Sequence, residues 1–290
     1  MSDRDLRARI ADQFSGRGDR ADVWRGFELF LPTESYLNLG YSPWYLPHVL
    51  GSPQRRLATV IGRDLADRLP ATAGAPLLDV GCGRGGPAVH LADRFGFDVT
   101  GVDLVPYNVA TARANANVNA NRSASFVVGD ATRLPVATDA VAAATAIDAL
   151  VYVPDREAAV SELARVVRPG GYVSISDLVV ADGLDDAARE VVAVFADAWD
   201  MSPPATVGAH REAMGRAGLS VETVVDGSAH SVARFPKWAR LYLGLADRVP
   251  GITASVLQRW GLDADRVTEQ VRAALAALPN LRHVRLVARG

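Results

Sequence analysis

Two residue types are almost missing from this 290-residue chain. Cys82 is the only cysteine, which excludes an intrachain disulfide and any cysteine-built metal cluster. Lys237 is the only lysine, so nearly all positive charge is arginine. Beside the many alanines, that reads as compositional bias rather than phosphate chemistry. Neither sign of charge dominates. The formal net charge of -2 and pI near 6.2 argue against a nucleic-acid protein with a basic face. Long hydrophobic runs are lacking too: the longest, Ala140 to Val153, is broken by Asp148 and is too short to span a bilayer. Met1-Ser2-Asp3-Arg4-Asp5 has no apolar core of a signal peptide. No histidine pair has H-x-x-x-H spacing, so no metal is expected. The expectation is a soluble, cytoplasmic protein, long enough to bury a sizeable core.

What is present alternates. Residues 1–31 read as helical (Leu6, Ile10, Phe14, then Val23, Trp24, Phe27, Phe30), broken at Gly16-Arg17-Gly18-Asp19. The aromatic stretch Tyr36 to Tyr45 follows, either a plug over the core or part of a ligand lid. Pro53 to Leu69 is predicted as a helix with Ser52 as its N-cap. From Pro76 strand and helix patterns take turns, which predicts a parallel sheet with helices on both faces. Strands are expected near Leu77–Val80, Asp98–Val102, Ala124–Gly129, Val141–Ile147 and Tyr172–Val180. Crossover helices are expected near Gly86–Phe95, Asn108–Asn119 and Arg156–Val167. Beyond residue 180, helices at Asp185–Asp200, His210–Ala217 and most of Ala233–Leu278 decorate two further strands, Val221–Val225 and Leu281–Ala288. The last, reached by a long detour, suits an antiparallel edge strand. Three parts follow: 1–70, a ligand-binding core at 71–180, and 181–290 carrying the last two strands and the inserted helices.

The first predicted strand runs into Gly81-Cys82-Gly83-Arg84-Gly85-Gly86, a literal G-x-G-x-x-G of the kind that cradles dinucleotides. Asp79 stands two residues before it. A carboxylate there repels a diphosphate and favours a cationic amine, so S-adenosylmethionine (SAM), with an ammonium, a sulfonium and no phosphate, fits better than NAD. Asp103 ends the second strand at about the offset of an acid that grips ribose hydroxyls. Asp130, ending the third, can accept from an adenine amino group while the Ala131 amide donates to the ring.

Leu78-Asp79-Val80-Gly81-Cys82-Gly83-Arg84-Gly85, Gly101-Val102-Asp103, Gly129-Asp130-Ala131 and Leu163 to Gly171, in this order, resemble a class I SAM-dependent methyltransferase. The resemblance covers residues 75–180 and implies a Rossmann-like α/β fold: a seven-stranded, mostly parallel sheet with an antiparallel last strand, a helical N-terminal extension and helical lid insertions. It implies Asp79, Gly81 and Gly83 at the aminoacid end of SAM, Asp103 at the ribose and Asp130 at the adenine, with Leu104, Ala131 and Asp148 completing the cofactor set. Asn38-Leu39-Gly40-Tyr41 is similar to a lid segment of the small-molecule subgroup acting on sugars, polyketides and isoprenoids, which makes Tyr36 and Tyr41 lid candidates, Tyr41 toward the cofactor.

For the chemistry, related O-methyltransferases carry histidine where this chain has Val151 and Tyr152, before Pro154-Asp155. Tyr152 and Asp177, which ends the fifth strand, are the catalytic candidates. Tyr152 can position an acceptor, and an unshifted phenol is a poor base. His90 and His283 read as packing or structural residues, His210 as an exposed helix residue, and His48 and His230 remain open. Phe195, Trp199, Met201, Phe235 and Trp238 lie in the insertions, where apolar helix stripes also suit an apolar pocket. The expected function is methyl transfer from SAM to oxygen or carbon of a small, largely apolar acceptor, with no nucleic-acid or membrane-spanning partner and with a homo-oligomer left open. A SAM-fold protein that catalyses a cyclisation, or an NAD-dependent oxidoreductase, are the alternatives.

Overall fold

The structure, a computed structural model, describes residues 3–15, 35–45, 52–118, 123–259 and 261–290. The expected helical positions Val23 to Phe30, the glycine break before them, and His48 lie outside the described residues. Parallel strands β1 (Pro76–Val80), β2 (Asp98–Asp103), β3 (Ala124–Val128), β4 (Val141–Ile147) and β5 (Val167–Val180) are joined by β6 (Ser220–Asp226) and β7 (Leu281–Arg289). The sheet order is β3-β2-β1-β4-β5-β7-β6.

β7 is antiparallel to both neighbours, as the detour before it predicts, yet it is not the edge. Nearly every residue along it is buried or half-buried, so it suits an interior strand. β6 alternates half-buried with exposed residues and takes the edge.

Alternation along the strands splits the core in two. Leu77 points to helices α2 (Pro53–Ala66), α3 (Gly86–Phe95) and α4 (Pro106–Val118), packing with Leu65, Leu91 and Val109. Leu78 points to the other face, against α5 (Arg156–Val166) and α7 (Val207–Arg216) through Leu163 and Met214. With both faces covered, β4 (Val-Ala-Ala-Ala-Thr-Ala-Ile) is buried along its whole length. Ser52 precedes α2 in a left-handed conformation and makes no side-chain cap; Pro53 starts that helix without one.

A third cluster lies across the carboxyl end of the sheet. Helices α6 (Asp186–Ala198) and α10 (Ala264–Ala277) bring Phe195, Trp199, Ala274 and Ala277 against Val151 and Leu178. Between α7 and α10 the chain adds α8 (Phe235–Arg248) and α9 (Pro250–Arg259). The N-terminal helix α1 (Asp3–Ser15) is tied to the end of α6 by Arg9, which meets Asp200 at 2.5 Å and Asp197 at 2.9 Å. Asp200 is fully buried and also pairs with Arg266 at 3.2 Å. No helix among the described residues is long and apolar enough to cross a membrane.

Candidate functional site

Parallel strands all end on one side of the sheet, and the loops that leave them build the site. After β1 the chain turns sharply at Gly81, whose N–H and that of Cys82 donate to the Val102 carbonyl at 2.8 and 3.0 Å. Gly81 has φ +69°, and a Cβ there would sit 2.4 Å from the Ala149 Cβ. Only glycine lets this turn pass beneath the loop after β4. Gly83 is also left-handed at φ +53°, and its N–H donates to Asp103 Oδ2 at 2.9 Å. Asp103 Oδ1 accepts from Val105 N–H and from the Asn108 amide. Burial pushes the Asp103 carboxyl above its usual value in spite of these three bonds.

Two cavities open at this end, with about 830 and 950 Å³ of empty space including their mouths. Gly81, Gly83, Asp103, Leu104, Asp130 and Ala131 all face the first, as expected. Asp130 is held in a tight turn by the Thr132 amide and hydroxyl, both at 2.8 Å. The wall also includes Ile10 and Phe14 of α1, which the sequence did not link to the site. The second cavity is apolar, built by Leu178, Phe195, Trp199, Met201, Phe235 and Leu281 among others. Leu37, Asp148 and Tyr152 line both.

Asp148 is the joint. It has a left-handed backbone at φ +53° and is 7% exposed. Its Oδ2 accepts from Leu39 N–H at 2.8 Å, fastening the segment before α2 to the end of β4. Its Oδ1 accepts from the Ser176 hydroxyl at 2.7 Å and lies 2.8 Å from His283 Nε2. Burial pushes this carboxyl up, but the His283 ring, Ser176 and Leu39 together hold it below its usual value. His283 Nδ1 in turn lies 2.8 Å from Ser231 Oγ, and Ser231 faces the apolar cavity. His283 was expected only to pack. No spacing rule links it to Asp148, 135 positions away; the available signal was a histidine on the buried face of an apolar strand.

Four expected positions stand elsewhere. Asp79 lies behind the first cavity rather than in its wall, 1% exposed, with Oδ1 accepting from Thr145 at 3.0 Å and Oδ2 buried without a partner. Burial, helped by the nearby Asp103 charge, raises its pKa to about 7. Tyr41 stacks on the His230 ring at 4.4 Å and packs on Leu57 and Ile61, away from both cavities. Tyr36 packs beside Gly86, and burial lifts its hydroxyl to about 12. The part of this segment that reaches the cavities is Leu37 to Leu39, because the two tyrosines are spent on packing. Asp177 is fully buried and lines neither cavity. Its Oδ1 accepts from Leu178 and Val151 N–H, and its Oδ2 lies 3.2 Å from His210 Nε2. His210 is therefore buried rather than exposed: α7 turns it inward to meet the Asp177 carboxyl. Tyr152 lines both cavities, its ring edge against Phe14 at 5.3 Å.

The donor set can be tested against candidate ligands. Asp103, Asp130 and Asp148 face the first cavity, and no lysine or arginine among the described residues lines it. A diphosphate would meet carboxylates on all sides. SAM fits instead: ribose hydroxyls can donate to Asp103, the adenine amino group to Asp130, and the Asp79 carboxyl behind Gly81, when ionised, favours a cationic group in the cavity there without touching it.

Comparison with known proteins agrees with this chemistry. The family described as "Methyltransferase domain" matches residues 78–175. The chain is 36% identical over 159 residues to methyltransferase GfsG of Streptomyces halstedii, covering 54% of this chain and 57% of that protein. It is 30% identical over 196 residues to O-methyltransferase cnsE of Penicillium expansum, covering 66% and 67%. Against GfsG and two further curated relatives the match spans 57% to 62% of their length. Among solved structures, the geranyl diphosphate C-methyltransferase of Streptomyces coelicolor, in a complex with S-adenosyl-L-homocysteine, superposes with a TM-score of 0.67 at 19% identity, covering 98% of this chain and 97% of that one. The [4+2]-cyclase SpnF superposes at 0.68 and 23%, covering 92% and 93%. These two likenesses speak for the fold. The domain match from β1 into β5, together with a relative of 30% identity matched over two thirds of its length, places this protein in the class I SAM-dependent methyltransferases.

Proposed function

We propose that this protein transfers a methyl group from SAM to oxygen or carbon of a small, largely apolar metabolite of natural-product or isoprenoid type. One observation carries the reading: the carboxylate-lined cavity and the apolar cavity share Leu37, Asp148 and Tyr152 as a common wall. A ligand in each would meet there. When bound, SAM supplies a sulfonium-activated methyl group. The chain's own work is then alignment and exclusion of water. Asp103 and Asp130 fix the cofactor, while Phe195, Trp199 and Met201 hold the acceptor by apolar contact. Tyr152, at the junction, positions the acceptor. Asp177 steadies the turn after β4 through Val151 N–H. No basic side chain among the described residues lines the apolar cavity, which favours a neutral acceptor over a phosphate or carboxylate.

The test is transfer of isotope-labelled methyl from SAM into apolar metabolite extracts, with S-adenosyl-L-homocysteine (SAH) binding measured in parallel. Label in an extracted small molecule supports the reading. Val151 and Tyr152, in place of histidines, favour a second one, in which the fold binds SAM and catalyses a cyclisation. Tight SAH binding with no labelled product across a broad panel would select it.

A further inference from the structure

We propose that one corner of the apolar cavity receives a hydroxyl group of the acceptor, and that Ser231 and His283 carry its proton away as its oxygen is methylated. This rests on the methyltransferase reading above. It specifies oxygen as the atom and an apolar alcohol or phenol as the substrate class.

Apart from Tyr152 at the junction, the cavity is apolar except where Asn38, Gln54, Ser231 and Asp148 face it. Hydrogen bonds and a close backbone approach bring them together. Leu39, next to Asn38, donates to Asp148; Gly40 packs against the backbone that carries Gln54; His283 bridges Asp148 and Ser231. All four are buried. Asn38 Oδ1 accepts from Gly40 N–H at 3.0 Å, which fixes the amide's orientation and leaves its Nδ2 without a partner. Gln54 Oε1 is likewise buried and unpartnered. An orphaned donor and an orphaned acceptor in the wall of one cavity are unfavourable unless a ligand satisfies them. A hydroxyl does: its oxygen accepts from Asn38, and its hydrogen goes to an oxygen, of which the corner offers Gln54 Oε1 and Ser231 Oγ.

Ser231 has the onward route. With His283 Nε2–H donating to the Asp148 carboxylate, Nδ1 presents a lone pair to the Ser231 hydroxyl 2.8 Å away. The relay requires that hydroxyl to turn to it from the Gly227 carbonyl, to which it donates at 3.1 Å. As the acceptor oxygen bonds to the methyl carbon, the donor's carbon–sulfur bond breaks with its electron pair remaining on sulfur. The hydroxyl proton passes to Ser231 Oγ, and Ser231's own proton passes to His283 Nδ1. The resulting imidazolium rests against Asp148, a serine–histidine–aspartate order used here to remove a proton rather than to make a nucleophile. Ser231 is the group that touches the acceptor; His283 acts through it as a positioning residue.

The test uses the full chain saturated with SAH and two probes of nearly equal shape, 4-pentylphenol and 4-pentyltoluene. Calorimetry should find the phenol bound about tenfold or more tighter. Asn38→Asp, which keeps the acceptor for Gly40 and removes the N–H donor, should collapse that preference to about twofold. Equal affinity for phenol and hydrocarbon in the unaltered protein overturns the docking half. For the relay, His283→Gln should slow labelled methyl transfer to 4-pentylphenol with KM unchanged, by at least about tenfold more than transfer to 4-nitrophenol, which is ionised at mildly alkaline pH and has no proton to lose. Equal slowing of both overturns the relay. Unaltered protein that binds SAH but methylates neither phenol would defeat the methyltransferase reading itself, a separate result.

Discussion

The two cavities meet at Asp148 yet are built on different plans. The cofactor cavity takes most of its wall from residues that directly follow β1, β2, β3 and β4, so its chemistry is written in short contiguous stretches. The apolar cavity draws on the segment before α2, the loop after β4, α6, the turn before α8, α10 and β7. Its parts are side chains from distant positions that share no spacing. Strand ends give a rigid, repeated frame for a constant ligand, and the inserted helices give a wall that can change without disturbing it.

The sharpest way to break this contrast is to exchange damage between the halves. Asp103→Ala removes the acceptor of the Gly83, Val105 and Asn108 donors and should weaken SAH binding about 100-fold by calorimetry. Phe195→Ala should leave SAH affinity within about twofold while weakening acceptor binding. A large loss of SAH affinity in Phe195→Ala would show that the halves are not separable. Asp148→Ala, at the joint, should hurt both. It strands the Leu39 amide, the Ser176 hydroxyl and the His283 ring, and should lower unfolding free energy by about 3 kcal/mol in denaturant titration.

A smaller effect separates two buried carboxylates. Asp79, raised to about 7 from an ordinary 3.8, holds a proton in the folded protein that the unfolded chain has lost. Its contribution therefore makes stability fall as pH rises from about 4 to 7, and Asp79→Asn should flatten that slope. Because a cationic ligand favours the ionised carboxylate, SAH affinity should rise with pH across the same window, with proton release visible as a buffer-dependent binding enthalpy. Asp148, held below its usual value, behaves oppositely: it stabilises the fold above the unfolded carboxylate range and loses that contribution only in stronger acid. The mildest change, Tyr152→Phe, should alter turnover a few-fold, about the weight of one hydrogen bond, with SAH affinity unchanged.

The sequence carried the cofactor half well, for a physical reason. A carboxylate at a strand end, a turn that only glycine can make and a helix that starts behind it must be adjacent in the chain, so Gly81, Gly83, Asp103, Asp130 and Ala131 were readable as a set. Strand positions were readable because alternation and buried runs mark them, although β7's interior place was not: antiparallel pairing on both sides leaves no local mark. Asp79, expected at the aminoacid end of SAM, lies behind the first cavity rather than in its wall. Tyr41 and Asp177 line neither cavity, because a residue type suited to a site is equally suited to packing or to tying a loop, and only the fold decides. Ser231 and Gln54 had no sequence signature, and although Asn38 stood in the lid-like stretch and His283 in the apolar last strand, nothing local linked the four, since what unites them is a corner assembled from four separate segments.

The left-handed backbone at Asp148 has a consequence for variation. That position demands a side chain short enough to accept from Leu39 and a residue that tolerates positive φ, and asparagine is the other residue that offers both. In a saturation library most replacements at 148 would therefore be lost before catalysis is sampled. New acceptor ranges can be selected from the helices, but the joint between the two cavities is a nearly fixed point around which any such selection has to work.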